Sequence, residues 1–326
     1  LHDAPPKPES NGGIAGGSLH PPGRYPVGVA ARPARELRGA AAVWSARLAW
    51  LALALLGGRA FGEALASHSR GVEVVGTIAL WAGWAAGALA LAVPSTVSLT
   101  GARTGVPVAL VAAVLASFGA DGVLSAALAV GTAALAAAAV ASGEFGQAFA
   151  QASAYGHEQR FVLRPPAWVV LPAVVSWVVL CATAIGAPLA WGARSWWLAG
   201  ALTAAAAGLA WVLGQRFHRL SRRWLVIVPV GVVIHDHLVL GETVMLRTQG
   251  VDALGLALDG TDAADLTGPA GGHAVEIELR DHETVVFAPS RTEPNGRAIH
   301  ARAVLVAPTR PGRFLAAAAE RGLPVR

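Results

Sequence analysis

The chain has 326 residues, 54% of them apolar and only 14% charged, against about a quarter charged in a soluble domain. Charge is sparse between Gly39 and Leu213 and ordinary outside that window, which excludes a soluble globular protein and describes a membrane block with polar ends. The net charge of +5 does not mark a nucleic-acid binder: residues 225–326 hold nine arginines against twelve acids, and the basic excess lies on the N-terminal tail and beside the apolar segments.

Residues 1–34 are rich in Pro, Gly and Ser without apolar periodicity, and read as a disordered cytoplasmic tail. No apolar stretch stands near the start, so the first apolar segment serves as the insertion signal.

A transmembrane bundle of about six helices is expected over 35–214, each needing roughly 20 apolar residues to cross the hydrocarbon. The segments run from Ala40 to Gly58, Val72 to Val93, two halves of Val106 to Ala141, Ala167 to Trp191, and Ser195 to Leu213. The third and fourth are divided by the turn signal Gly119-Ala120-Asp121-Gly122, and the third is short. A re-entrant hairpin there leaves both ends of the block on the same side. Trp168, Trp191, Trp196, Trp197, Trp211 and Trp224 lie near segment ends, as an interfacial belt would. Pro172 and Pro188 predict a kink or a frayed end in the fifth segment.

Arginine placement orients the block. With the N-terminus inside, the inner flanks hold Arg32, Arg35, Arg38, Arg103, Arg160, Arg164, Arg216, Arg219, Arg222 and Arg223, and the outer loops hold Arg59, Arg70 and Arg194. This bias predicts a multi-pass plasma-membrane protein with both termini cytoplasmic and Arg216, Arg219, Arg222 and Arg223 as inner-surface anchors. Small residues at spacing four (Gly83 and Gly87; Gly200, Ala204 and Gly208) suit close helix packing, either within the chain or across a homo-oligomer face. Cys181 stands alone in an apolar run, so a disulfide within the chain is excluded and the residue reads as a small buried hydrophobe.

The inner loop from Ser142 to Pro166 contains Phe145, Ala148, Phe149 and Ala152 at helical spacing. A short amphipathic helix fits, lying on the inner surface or docking on the C-terminal domain. Tyr155, His157, Glu158 and Arg160 follow as a polar knot, with either a structural role or a contact to substrate or lipid headgroup.

From residue 215 the apolar runs give way to alternation. Val275, Ile277 and Leu279 alternate with Glu276, Glu278 and Arg280, a half-buried strand. Further strands are expected at Trp224–Val228, Val230–His235, Glu242–Thr248, Thr284–Ala288 and Ala301–Val306. A closing helix is expected at Pro311–Arg321, capped by Thr309 and ended by Gly322. Residues 215–326 therefore read as a small cytoplasmic antiparallel β domain closed by a C-terminal helix. Element order and the hairpin from Trp224 through Gly231 to Asp236 resemble the bacterial pleckstrin-homology-like domains, which often follow transmembrane helices directly. The stretches Tyr155–Phe161 and Pro308–Gly312 resemble those of actinobacterial polytopic membrane proteins, a likeness that implies no activity.

Chemistry candidates are few. His235-Asp236-His237 lacks an obvious third ligand and reads as a solvated turn, so neither metal nor cofactor is expected. No nucleotide loop, metalloprotease pattern or nucleophile elbow is present, and no catalytic residue is assigned. Asp121 falls in a surface turn. Arg47 lies about one turn into its helix; it either snorkels to the inner interface or makes a buried ion pair or substrate contact. The leading expectation is a non-enzymatic scaffold or regulator whose cytoplasmic domain binds a protein partner, its acidic balance disfavouring phosphoinositide headgroups. The alternatives are a transporter or channel subunit, and a membrane enzyme acting on lipid or glycan through His157, Glu158 and Arg160.

Overall fold

The computed structural model describes residues 31–290 and 293–326, with side chains from Leu37 onward. The tail expected over 1–34 lies outside the described residues as far as residue 30, and Ala31 is already helical. Six helices among the described residues are long and apolar enough to cross a membrane, which makes this a multi-pass membrane protein. The first consists of α1 (Ala31–Ala52), a π-helical turn (Leu53–Gly57) and α2 (Gly58–Ala66). The others are α3 (Arg70–Ala92), α4 (Thr96–Ser117), α5 (Val123–Ala141), α7 (Ala167–Gly192) and α8 (Trp196–Ser221). A short helix, α6 (Gly143–Gln151), follows α5 directly.

Three boundaries differ from expectation for physical reasons. The first span does not end at Gly58. The π turn carries the helix through Gly57, whose missing side chain lets its backbone lie against Ala129: a Cβ there would stand 2.9 Å from Ala129 Cα. The third span, expected short, starts ten residues earlier, where the Ser95 hydroxyl caps the helix by accepting from Ser98 N–H at 3.0 Å. It encloses Arg103, a residue of the expected inner flank. The last span runs on to Ser221, so Arg216 and Arg219 sit on its final turns. The break at Gly119–Gly122 falls where expected, between α4 and α5.

Beyond α8 stands a β unit of two four-stranded sheets. The first has the order β1-β2-β3-β4, comprising β1 (Gln159–Val162), β2 (Trp224–Val228), β3 (Gly231–His235) and β4 (Val244–Arg247), all antiparallel. The second has the order β5-β7-β8-β6, comprising β5 (Val251–Leu256), β6 (Ala264–Asp265), β7 (Val275–Phe287) and β8 (Arg297–Val306). Its β6 runs parallel to β8, so the unit is not wholly antiparallel. Helix α9 (Pro311–Glu320) closes it, and Gly322 ends the helix at φ +76°. Thr309 does not cap α9; its hydroxyl is buried without a hydrogen-bond partner. The two strands expected either side of Arg280 are one long strand with a register irregularity between Glu278 and Glu283.

The unit is also discontinuous in sequence, which a boundary at 215 does not allow for: β1 comes from the α5–α7 connection. Leu225, Ile227, Ile234, Leu246, Ile277, Val304 and Phe314 form its core, and Phe161 of β1 meets Phe314 edge-on at 5.4 Å. Burying a side chain of this size stabilises by about 1.5–3 kcal/mol. The bundle has its own core around Trp50, Leu99, Ala133 and Val140.

Candidate functional site

Helix α6 joins the two halves because its faces differ. Phe145 and Phe149, one turn apart, stack at 4.2 Å and are fully buried in the bundle core. Ser142 caps the helix through Phe145 N–H. The opposite side carries Glu144, Gln147 and Gln151 toward the β unit. The Glu144 carboxylate takes Arg310 Nε at 3.3 Å and also accepts from Arg313 Nη1, both at the start of α9.

Gln147 and Gln151 do the work of a missing strand. Gln151 donates to Glu158 O (3.0 Å) and accepts from Arg160 N–H (2.9 Å); Gln147 donates to Arg160 O and accepts from Val162 N–H (3.4 Å). Alternate residues of a strand present their backbone groups to the same edge, and this edge continues through Thr309 N–H to Val162 O and Arg164 N–H to Ala307 O. The outer edge of β1 is thereby satisfied from 158 to 164. Helix α6 does dock on the C-terminal unit, but its apolar face is buried in the bundle core and does not lie on the inner surface. A pocket of about 490 Å³ lies where α1, α6, β1 and α9 meet, lined in part by Gly39, Glu144, Gln147, Gln151, Phe161 and Arg313.

The polar knot is partly assembled. Glu158 accepts from Tyr155 N–H (2.7 Å) and from Arg160 Nη2 (2.6 Å), and the Arg160 guanidinium lies 5.9 Å from the Tyr155 ring and 4.7 Å from that of Trp224. His157 is engaged through its carbonyl, which accepts from Arg321, while the residue itself is exposed. The trio expected for an enzyme reading therefore does not converge; Glu158 and Arg160 neutralise each other.

Arg47 reaches the backbone of a neighbouring helix end and not an acidic partner. Its Nε and Nη2 donate to Leu91 O (2.9 Å) and Ala92 O (3.0 Å), the carbonyl end of α3, and its guanidinium lies 5.1 Å from the Trp44 ring. Arg103 repeats the device at the end of α5, donating to Val140 O (3.2 Å) and Ser142 O (3.4 Å). Each cation meets the negative end of a helix dipole and its unpaired carbonyls. An Arg facing a Leu-Ala helix end carries no recognisable sequence signature, so this pairing was not legible beforehand.

Arg223 is no surface anchor. Its Nε and Nη2 hold both oxygens of Asp236 at 2.7 and 2.5 Å, its Nη1 donates to Arg164 O at 2.6 Å, and both side chains are 1% exposed. The turn expected to be solvated around Asp236 is thus buried at its centre. Arg216, Arg219 and Arg222 are exposed. Among the described residues no group of three or more His, Cys, Asp or Glu is placed to hold a metal ion.

The small-residue positions divide. Gly87 is buried against Trp50, where a Cβ would stand 2.3 Å from a ring carbon. Gly83, Gly200, Ala204 and Gly208 are exposed, and a Cβ added at any of the three glycines would meet no atom within 4 Å. No family model, curated protein or solved structure matches the chain.

Proposed function

We propose that the protein is a non-enzymatic membrane regulator whose β unit, pleckstrin-homology-like and cytoplasmic, docks a protein partner by adding a strand to β4. Two sheets closed by one helix support the likeness. The arginine bias of the inner flanks supports the cytoplasmic side of a plasma membrane.

The observation that carries the docking reading is the state of the sheet edges. The β1 edge is filled by α6 and by residues 307–309. The β5 edge is occupied by the C-terminal residues, with Leu254 N–H on Pro324 O (2.8 Å) and Arg326 N–H on Leu254 O (2.9 Å). Strand β6 is two residues long, too short to template another. Strand β4 pairs with β3 on one side, and among the described residues no strand lies on the other. Thr248 N–H bonds Val230 O, so in this register the backbone groups of Met245 and Arg247 turn outward. Strand addition at such an edge draws affinity from main-chain hydrogen bonds.

The test places a photo-crosslinking residue at Met245 or Arg247 in the full-length protein in its membrane. A discrete adduct is expected from both positions and is lost on adding Met245→Pro, which removes an outward N–H without touching the β3 ladder. No adduct, or one that Met245→Pro leaves intact, defeats the reading.

A further inference from the structure

We propose that the membrane-proximal end of the β unit binds the phosphate of an anionic phospholipid between Arg219 of α8, Arg222 just past its end, and the imidazoles of His235 and His237. This rests on the helices crossing a bilayer, and is independent of any partner on β4.

Helix α8 has 26 residues, about 39 Å at 1.5 Å per residue, while the hydrocarbon is about 30 Å thick. Measured from the exposed pair Trp196 and Trp197, the apolar layer ends near Gln215 and the last turns project among headgroups. Strand β2 begins at Trp224, three residues past the helix. The register sets His235 opposite Trp224, at the end of the hairpin nearest the membrane. The Trp224 and His235 rings stack at 5.6 Å and 20°, and the His237 ring lies 5.3 Å from that of His235.

The unit is acidic overall, yet its acids are disarmed here. Asp236 is taken by Arg223 and Glu158 by Arg160. Arg219 and Arg222 are exposed and have no acidic partner among the described residues. More distant carboxylates count little beyond a screening length of about 10 Å. His218, on the same turns, is engaged with the Thr100 hydroxyl at 3.1 Å.

Nearby cations bear on both histidines, after burial. His235 is held below the ordinary imidazole range by burial first, then by His237, Arg222 and Arg160, against the opposing pull of Asp236. His237 is lowered by burial, opposed by Asp236, and lowered further by Arg222, Arg219 and Arg223. A phosphate seated among these groups accepts charge-assisted hydrogen bonds from the arginines and favours protonated imidazoles. Binding therefore takes up protons and tightens as pH falls through the histidine range.

The full-length protein in nanodiscs of phosphatidylcholine, with and without phosphatidylglycerol, allows the test by imidazole NMR. Phosphatidylglycerol is expected to raise the pKa of both histidines by about one unit, a tenfold shift in proton affinity. Arg222→Gln should abolish most of that rise. Arg216→Gln removes the same charge from the same exposed helix end outside the cluster and should leave it. Equal loss in the two variants means a general surface potential and overturns the site, as does an unchanged imidazole pKa. Millimolar inorganic phosphate reproducing the shift in phosphatidylcholine discs means a soluble anion, which overturns the lipid assignment.

Discussion

Trp50 and Trp84 donate their indole N–H groups to each other's backbone carbonyls, each at 3.0 Å. This reciprocal pair fastens α1 to α3 inside the membrane block, where an unpaired polar group has no water to turn to. Gly87 makes it possible, because any side chain there would occupy the Trp50 ring.

Gly87→Ala should therefore destabilise by about 1–3 kcal/mol through overpacking. Gly83→Ala, four residues away, should be close to neutral because its face is open. Thermal unfolding in detergent separates the two. Equal melting temperatures would show that the Trp50 contact does not constrain the helix pair.

The buried pair of Arg223 and Asp236 yields an asymmetric expectation. Removing one partner leaves an uncompensated buried charge, so Asp236→Ala should cost about 3–5 kcal/mol. The double change Arg223→Met with Asp236→Leu should recover a large part of that loss. A denaturation series on the full chain measures the non-additivity.

The glutamine edge predicts a local effect. Gln147→Ala with Gln151→Ala removes four side-chain hydrogen bonds, three to β1 and one to Glu158 just before it, each worth about 0.5–1.5 kcal/mol net. Amide exchange at Arg160 and Val162 should accelerate, while that of Phe161, whose residue pairs with Leu225 of β2, should change less. Uniform acceleration across β1 and β2 would mean that the glutamines hold the whole sheet.

Stability should fall with acid through His235 and His237. Both have folded-state pKa values below their unfolded ones, so below about pH 6.5 the unfolded chain binds more protons. The loss begins as pH drops through the unfolded value and is complete below the folded one. In phosphatidylcholine discs, His235→Asn with His237→Asn should flatten the dependence of the melting temperature between pH 7.5 and 5; an unaltered slope assigns it to other groups.

The spans were legible because hydropathy sums over a local window, and the break at Gly119–Gly122 because glycine acts on its own backbone. Strand β7 was legible from alternation at Val275, Ile277 and Leu279, whose side chains all meet the core, although Glu276 on the other face is buried too, accepting from the Thr261 hydroxyl at 2.6 Å. The strand Val251–Leu256 was missed because Ala253 and Gly255 dilute its pattern, and β1 because four residues between helices give no period to read.

By itself, then, the sequence determined the membrane block, its approximate spans and the closing helix, all set by composition within single segments. Only the tertiary structure decided that α6 completes the edge of β1, that Arg47 and Arg103 close neighbouring helices, and that Arg223 is buried on Asp236. Each of those depends on which side chains meet across distant stretches of chain, and a guanidinium or an amide accepts so many partners that its residue type alone does not choose one.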